Sequence, residues 1–412
     1  MRTLRKKLFA AAGYNTTFFG PGRKEFDPSK PMPPFETYLK EAAAGTCALV
    51  PQVNFDEGVM GSFMPGRFIK QGNLPGFLPF MVPSLLGKPC LGVEGACGTG
   101  GRAISAAARS VLSDSADAVF VAAFEVQNTM KSVYGADVLA GAGYYSGERK
   151  DGQAFFFPGL FSNRAGAYAQ SCGQVETRRA MAKWYELAIL NARKNPKAQE
   201  FANQAKDLLA LGMTEPNPKT FVPHLNLFDC SKVSDGASSI VLLSEEGLAK
   251  CGLAKASAVE IVAIGESEGD ITQPPPDLVE FTYTAIAVQA ALQQAEIGIE
   301  DIGILEIHDC FSITAMLGLE AAGLAQKGQA VHYILDGKTA ADGPLPVNLS
   351  GGLIGFGHPT GASGVRQLVD LLQQLTGKAA HQAHLHKPYG MMISMGGNDK
   401  TVTCLIVKRA ES

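Results

Sequence analysis

Gly95-Ala-Cys-Gly-Thr-Gly-Gly opens a predicted helix over about Arg102 to Leu112, and Asp117-Ala-Val-Phe-Val-Ala-Ala-Phe follows as a predicted buried strand. A glycine-rich turn, a helix and an apolar strand in this order are typical of a layered α/β fold. The same alternation of predicted helices and apolar strands continues along the chain. Strands are predicted at Ser238 to Leu243, from Ala258 onward and over Gly303 to His308, and a helix is predicted over Glu280 to Ala295.

A second segment repeats this unit. Gly357-His-Pro-Thr-Gly-Ala-Ser-Gly is also followed by a predicted helix and then by the apolar strand Gly390-Met-Met-Ile-Ser-Met. Two facing copies would bring both glycine-rich turns into one cleft, so we predict a duplicated core. The composition of the sequence changes between about residues 126 and 226, where predicted charged helices alternate with aromatic loops such as Phe155-Phe-Phe-Pro-Gly. We predict one half from residues 1–125 and 227–257, an inserted domain from 126–226, and a second half from 258–412.

Composition excludes several classes of protein. Of the 412 residues, 46% are hydrophobic and 18% are charged, which is a globular composition. A net charge of -3 gives no excess of positive charge that would indicate binding to nucleic acid or to an anionic membrane. Pro75, Pro79 and Pro83 interrupt the longest uncharged apolar run, so we predict no membrane span.

The cysteines and the termini bear on the compartment. Eight cysteines without a Cys-x-x-Cys pair predict free thiols in a reducing compartment. We expect the cytoplasm, with the mitochondrial matrix as the alternative because the first seven residues are basic. The final residues, Arg409-Ala-Glu-Ser, do not form a peroxisomal Ser-Lys-Leu signal.

Two residues in the glycine-rich turns are candidates for nucleophilic catalysis. Cys97 lies where a turn meets a helix, and a helix N-terminus stabilises a thiolate. His358 lies in a rigid loop that leaves its side chain free to accept a proton. Each residue alone could equally be structural, Cys97 as a small buried hydrophobe and His358 as a satisfied histidine.

Further candidates follow the strands. In His308-Asp-Cys-Phe, Cys310 could transfer a proton and His308 could donate to an oxyanion. The backbone around Gly396, in Ser394-Met-Gly-Gly, could also hold an oxyanion. His381, His384 and His386 have a metal-like spacing without a matching partner, so we predict no metal site. The basic stretch from Arg178 to Lys197 is more typical of a solvated helix face than of a phosphate site.

Together these motifs resemble those of the thiolase family. Cys97-Gly-Thr-Gly-Gly-Arg-Ala resembles the nucleophile motif, and Gly357-His-Pro resembles the motif of the activating histidine. His308-Asp-Cys-Phe is similar to the signature of the sterol-carrier-protein class of thiolases. Asp235-Gly-Ala and the Gly396-Gly397 turn follow in family order, so the resemblance covers nearly the whole chain. Ser394 stands where many thiolases carry an acid/base cysteine, which assigns that role to Cys310.

The resemblance implies a fold and a reaction. The implied fold is α/β: two βαβαβαββ halves form a five-layered α-β-α-β-α core, with an inserted loop domain over the cleft. The implied activity is making or thiolytically cleaving 3-ketoacyl-CoA through an acyl-Cys97 intermediate. His358 would activate Cys97, Cys310 would move the α-proton, and Gly396 and His308 would serve the two oxyanion holes.

The resemblance also implies partners. Coenzyme A thioesters would be substrates, and no cofactor or metal would be needed. We expect a homodimer, or a tetramer, in which the strand Asp117 to Phe124 pairs across a two-fold axis. Phe311 is expected to contact substrate, and three cations of the insertion are candidates for the coenzyme A phosphates: Arg193, Lys194 and Lys197.

Three other functions remain open on the sequence alone. A ketosynthase-like enzyme would use the same cysteine, and so would a biosynthetic acyltransferase. A non-catalytic protein that binds acyl-CoA or lipid is the third.

Overall fold

The computed structural model describes residues 3–150 and 154–410. The parts of the predicted domains at residues 1–2, 151–153 and 411–412 lie outside the described residues. The described strands, β1 to β9, are Leu8–Asn15, Glu57–Gly61, Cys90–Val93, Ala118–Val126, Asp235–Leu243, Ala258–Glu268, Ile302–Glu306, Tyr389–Gly396 and Thr401–Arg409. The described helices, α1 to α15, are Phe35–Leu49, Pro65–Phe68, Leu78–Met81, Thr99–Leu112, Ser132–Leu139, Tyr145–Glu148, Phe156–Cys172, Gln174–Ala192, Leu208–Gly212, Glu245–Lys250, Thr282–Ala295, Ser312–Ala321, Ala330–Leu335, Gly352–Phe356 and Ser363–Leu375.

The strands form one mixed sheet in the order β3-β2-β4-β5-β1-β6-β9-β8-β7. In the first half, β4 runs parallel to β2 and antiparallel to β5. In the second half, β8 runs parallel to β7 and antiparallel to β9. A parallel bridge between Leu305 and Val347 is a short counterpart of β3. The two halves therefore repeat one strand order, and the predicted duplication of the core is confirmed. The two sheets are continuous, because β1 and β6 pair antiparallel where the halves meet.

Helices cover both faces of each half. Helix α1 packs on β1, β4 and β5, and α11 packs on β6 and β9. Helices α4 and α15 lie between the halves and contact strands of both. Ile104, Val365 and Leu368 are fully buried in this middle layer. The result is the expected five-layered α-β-α-β-α arrangement.

Glycines allow α4 and α15 to approach closely at their N-termini. A Cβ atom on Gly100 would lie 2.6 Å from the backbone nitrogen of Val365. A Cβ atom on Gly364 would collide with the backbone nitrogen of Gly101. Since both helices begin at the predicted glycine-rich turns, this contact places the two turns side by side.

The strand that was expected to pair across a two-fold axis is internal. Strand β4 covers that segment, and it is hydrogen-bonded to β2 on one edge and to β5 on the other. It has no free edge for a second copy of the chain, so the predicted pairing is wrong. The edges of the sheet are instead β3 and β7.

The predicted insertion is helical. Over its described residues it contains α5 to α9, and its one strand residue is Val126, the last of β4. The boundaries of the insertion stay a prediction. Across the described ranges, none of the helices combines the length and the apolar character that crossing a bilayer requires.

Candidate active site

One cavity of about 410 Å³ brings the predicted catalytic side chains together. Cys97, His308, Cys310 and His358 all line it. The Cys97 Sγ atom and ring nitrogens of the two histidines lie within 4.8 Å of one another. The four side chains come from both halves of the chain, and the approach of α4 to α15 explains how they meet.

A tight turn presents Cys97. Ala96–Gly98 forms a 3₁₀ turn directly before α4. Ala96 has φ 53°, in the left-handed region that side chains other than glycine seldom adopt. The Thr99 hydroxyl closes the turn, since it donates to the Ala96 carbonyl at 2.6 Å and accepts from the Gly95 N–H at 2.9 Å. Cys97 therefore sits on a constrained elbow that faces the cavity.

The protonation state of Cys97 differs from the expectation. Burial, together with the Glu125 and Glu94 carboxylates, raises the pKa of Cys97 to about 12. The loss of solvent outweighs the helix N-terminus, so the resting group is a thiol. A base must therefore take its proton before or during attack.

Hydrogen bonds assign His358 the tautomer of a base. The Ser363 hydroxyl donates its single hydrogen to the Pro359 carbonyl at 3.1 Å. It must then accept from the His358 Nδ1–H, which lies 2.7 Å away. The Nε2 atom is left with its lone pair and has no protein partner. Burial and the Arg366 cation lower the pKa of His358 to about 3, so the ring is neutral.

His308 has the opposite tautomer. Its Nδ1 atom accepts from the Met395 backbone N–H at 3.4 Å, so the ring hydrogen is on Nε2. That Nε2 atom is buried without a protein partner. Burial first, and then His358 and Arg366, lower the pKa of His308 well below its usual value. The neutral ring is therefore a hydrogen-bond donor, as an oxyanion hole requires.

Asp309 anchors the loop that carries His308 and Cys310. Its carboxylate accepts from the Leu353 N–H at 2.7 Å and from Trp184 Nε1–H at 3.0 Å. Because these bonds hold the Asp309 side chain away from the cavity, the side chains of its two sequence neighbours, His308 and Cys310, both face the cavity.

Cys310 is a second thiol of the cavity, and Cys230 is a third. Burial first, and then Cys97, raise the pKa of Cys310 well above its usual value, so it is a proton donor at rest. Burial and Asp229 likewise raise the pKa of Cys230. No role was predicted for Cys230. Its place follows from a short antiparallel bridge between Cys230 and Phe311, beside a 2.9 Å bond from Ser231 N–H to the Cys310 carbonyl.

Ser394 does not take part in this group. It is fully buried and does not line the cavity. Its side chain lies against Gly101 and Gly364. Gly396 packs against the Cys97 turn so closely that a Cβ atom there would collide with the Gly95 carbonyl. Gly397, the next residue, is the one that lines the cavity.

A buried cation lies behind the histidines. The Arg366 guanidinium donates to Glu306 at 2.9 Å, to Ser350 at 2.7 Å and to Asp370 at 2.6 Å. Its positive charge disfavours a second one on either imidazole, which lowers the pKa of both. Arg366 was not predicted, because nothing in the sequence of α15 marks its arginine as buried.

Glu125 was also missed. It is the penultimate residue of β4, is buried, and accepts from Phe63 N–H at 2.8 Å and Gly361 N–H at 3.2 Å. Thr360 donates to it at 3.1 Å. Glu125 therefore ties the loop after His358 to the loop after β2. Burial raises the pKa of Glu125 to about 7.

The predicted substrate contacts divide into two groups. Phe311 lines the cavity, whereas Arg193, Lys194 and Lys197 do not. Arg193 donates to the Ala205 carbonyl at 2.6 Å, and Lys194 lies 3.0 Å from His381 Nε2. The Lys197 ammonium lies 3.3 Å from the centre of the Tyr14 ring. The one cation among the described lining residues is Lys232, which pairs with Glu200.

The histidines with metal-like spacing do not form a cluster. Among the described residues, the one group of potential ligands is Cys97, His308 and His358. Met395 fixes the hydrogen of His308 on Nε2, so that atom faces the cavity as a donor and not as a ligand.

Comparisons with known proteins identify relatives of this chain. Residues 265–409 match the family described as thiolase C-terminal domain-like. An acetyl-CoA acetyltransferase of Methanothermobacter thermautotrophicus is 29% identical over 91% of this chain and 94% of its own length. Sterol carrier protein 2 of Rattus norvegicus is 35% identical over 38% of this chain and 29% of its own length.

Solved structures share the fold. The Ltp2-ChsH2(DUF35) aldolase aligns with a TM-score of 0.79 at 18% identity over 99% of both chains. Human mitochondrial 3-ketoacyl-CoA thiolase in complex with CoA aligns with a TM-score of 0.68 at 16% identity over 100% of both chains. The family match over residues 265–409, the sequence relatives and the shared fold all support a place for this chain in the thiolase superfamily.

Proposed function

We propose that this protein makes or thiolytically cleaves 3-ketoacyl-CoA through an acyl-Cys97 intermediate. One observation carries the proposal: two protonated thiols and two neutral histidines of opposite tautomer face the same cavity. Claisen chemistry needs this set, which comprises a nucleophile, its base, a proton donor for carbon and a hydrogen-bond donor for oxygen.

Cleavage begins with transfer of the Cys97 proton to His358 Nε2. The sulfur attacks the 3-keto carbon, and the bond between that carbon and the α-carbon breaks. The Cys310 thiol gives its proton to the α-carbon, which releases acetyl-CoA. Negative charge that develops on the thioester oxygen of the departing acetyl-CoA is stabilised by His308 Nε2–H. Acyl-Cys97, protonated His358 and the Cys310 thiolate remain.

The second half restores the starting state. The thiol of coenzyme A gives its proton to the Cys310 thiolate and attacks the acyl-Cys97 carbonyl. The Cys97 sulfur leaves and takes back the proton from His358. At the end each catalytic group has the protonation state with which it began. The steps transfer protons and an acyl group but no net electrons, so neither an oxidant nor a reductant is required. Run in reverse, the same steps join two thioesters.

Coenzyme A thioesters are the proposed substrates. Their pantetheine arm would reach Cys97 through the cavity, whose lining is mostly apolar. Lys232 is the described cation best placed to meet the polar part of the cofactor arm. Cytoplasmic location stays a prediction of the sequence.

The proposed assembly is a homodimer that pairs β3 with β3. The outer edge of β3 is unpaired, and Leu91 on it is 47% exposed. Phe80 and Leu86, from the preceding segment, are 57% and 79% exposed. An open strand edge beside exposed apolar side chains favours pairing with a second copy, and two-fold closure satisfies both edges.

The test of the reaction is coenzyme A dependence. The purified protein is incubated with a 3-ketoacyl-CoA, with and without free coenzyme A, and the thioesters are separated by chromatography. Acetyl-CoA and a shortened acyl-CoA should form over many turnovers only with coenzyme A present, whereas without it at most one acetyl-CoA per active site should be released. A biosynthetic acyltransferase or a binding protein would leave the substrate intact, and repeated turnover without coenzyme A would contradict the mechanism.

A further inference from the structure

Phenylalanines dominate the cavity beyond the reacting groups. Five of the lining side chains are phenylalanine: Phe155, Phe157, Phe161, Phe221 and Phe311. Four of them come from the insertion, and Phe311 directly follows Cys310. The aromatic wall therefore begins at the thiol that acts on the α-carbon and extends away from it.

Three of these rings form a near-parallel ladder. Phe161 stacks on Phe311 with centroids 4.6 Å apart and planes at 28°. Phe157 continues the ladder, 6.3 Å from Phe161 and at 27°. Phe161 and Phe311 are buried, whereas Phe157 is only partly buried. The end of the ladder thus retains surface that a ligand can cover.

A second pair of rings lies on the same cavity. Phe155 and Phe221 meet edge to face with centroids 5.0 Å apart. Both are partly buried. Aromatic rings favour offset stacking or edge contact at centroid distances of about 4.5–7 Å. The spacings in this wall fall in that range, so a further flat ring would extend a packing that already exists.

The size of the cavity sets a limit on the acyl group. An apolar cavity of about 150 Å³ accommodates benzene. A cavity of about 410 Å³ holds a ring together with part of a thioester arm, but not a long alkyl chain as well. The only charged residue in its described lining is Lys232, which is proposed to meet the coenzyme A arm, so the acyl group is expected to be uncharged.

We infer that the acyl group this cavity takes carries an aromatic or similarly flat ring. The inference rests on the proposed acyl-CoA chemistry and adds the substrate class to it. The ring would lie against Phe157 and the Phe155–Phe221 pair, while its thioester carbonyl reaches Cys97.

The test compares two substrates with the same number of acyl carbons, benzoylacetyl-CoA and 3-oxononanoyl-CoA. The kcat/KM for coenzyme A-dependent cleavage should be higher for benzoylacetyl-CoA. Phe157→Leu keeps an apolar side chain and removes the ring, so it should lower this preference about 2- to 13-fold. Phe156→Leu is the matched control, because Phe156 adjoins Phe157 but does not line the cavity.

Binding provides a second measurement that does not need turnover. Calorimetry on Cys97→Ala compares benzoyl-CoA with heptanoyl-CoA, which again have equal numbers of carbons. Tighter binding of benzoyl-CoA, weakened by Phe157→Leu and not by Phe156→Leu, supports the inference. Equal or tighter binding of the straight chain overturns it. If 3-oxononanoyl-CoA is cleaved as well as benzoylacetyl-CoA or better, the proposed reaction is supported and the inferred preference for a ring is wrong. If neither substrate is cleaved, the proposed reaction falls and binding alone decides the preference.

Discussion

The rings of His308 and His358 lie 5.1 Å apart, nearly perpendicular at 83°, and their hydrogen bonds give them opposite tautomers. One ring offers a lone pair to the cavity and the other offers an N–H. The two roles are set by different neighbours, a serine hydroxyl for His358 and a backbone N–H for His308. A base and an oxyanion donor are thereby built from the same residue type.

Loss of the Ser363 hydroxyl should disturb the base without touching the nucleophile. Ser363→Ala frees His358 Nδ1, so the ring can adopt the tautomer that points a hydrogen at Cys97. Partners that orient a metal-binding histidine typically contribute about 10- to 100-fold, and we expect a fall of that size in the acylation rate here. Stopped-flow acylation measures it. Ser394→Ala is the control, because it removes an equally buried hydroxyl that forms no hydrogen bond with either ring. Similar rates for both variants would remove Ser363 from this role.

Cys97 and Cys310 should act in different steps of the reaction, so their variants should lose different activities. Cys310→Ala should still acylate at Cys97, since that transfer moves no proton at carbon and the departing coenzyme A thiolate can take its proton from solvent. Cleavage or condensation at the α-carbon should fall by about 10²–10⁴-fold, the usual contribution of general acid–base catalysis. Exchange of the α-hydrogens of acetyl-CoA with deuterated water reports the carbon step directly. Near-normal exchange in Cys310→Ala, with loss in Ser394→Ala, would assign the acid/base role to Ser394.

The acylation rate should change little with pH around neutrality. The pKa of Cys97 is raised to about 12 and that of His358 is lowered to about 3, so thiol and imidazole persist between those limits. Moving the proton from one to the other leaves the total number of protons unchanged, which makes the rate independent of pH. In His358→Ala only solvent can take the proton, so a slower rate should rise about tenfold per pH unit. A wild-type profile with that slope would show that His358 is not the base.

The cation that meets the coenzyme A moiety should be Lys232 and not the basic stretch of α8. Lys232→Ala should raise the KM for acyl-CoA and leave kcat nearly unchanged, because the charge contributes to binding and not to the chemical step. Lys194→Ala removes the same charge outside the cavity and serves as the control. A larger effect on KM from Lys194→Ala would restore the original expectation.

The dimer should depend on the edge of β3. Light scattering should give about twice 43.4 kDa for the wild-type chain. Leu91→Lys places a charge on the exposed edge strand and should favour the monomer. Val175→Lys, at a residue 63% exposed on α8, is the control. A wild-type mass near 43.4 kDa would contradict the dimer.

Much of the fold follows from local patterns. The α4–β4 and α15–β8 units were predictable because a glycine-rich turn, a helix and an apolar strand recur in the same order. The free edge of the sheet was not predictable in this way. Strand β4 is apolar on both faces, which shows that it is buried but not which strands flank it. The edge strand β3 has only four residues and a weak pattern.

The residues of the site were likewise predictable only where a local sequence motif contains them. Cys97, His308, Cys310 and His358 stand in short motifs, so their residue types and order were informative. Ser363 lies in the same glycine-rich motif as His358, and its role could have been suspected. Arg366 and Glu125 act through burial and long-range contacts, which no local pattern reveals. The high pKa of Cys97 was missed because a helix N-terminus is visible in sequence, whereas the loss of solvent is not.

The acyl-enzyme is the central claim, and mass spectrometry of the intact and digested protein tests it most directly. The wild-type chain and Cys310→Ala are mixed briefly with acetyl-CoA and quenched in acid. Both should carry one acetyl group, on the peptide that contains Cys97, and Cys97→Ala should carry none. An acetyl group on Cys230 or Cys310 with Cys97 unmodified would contradict the account.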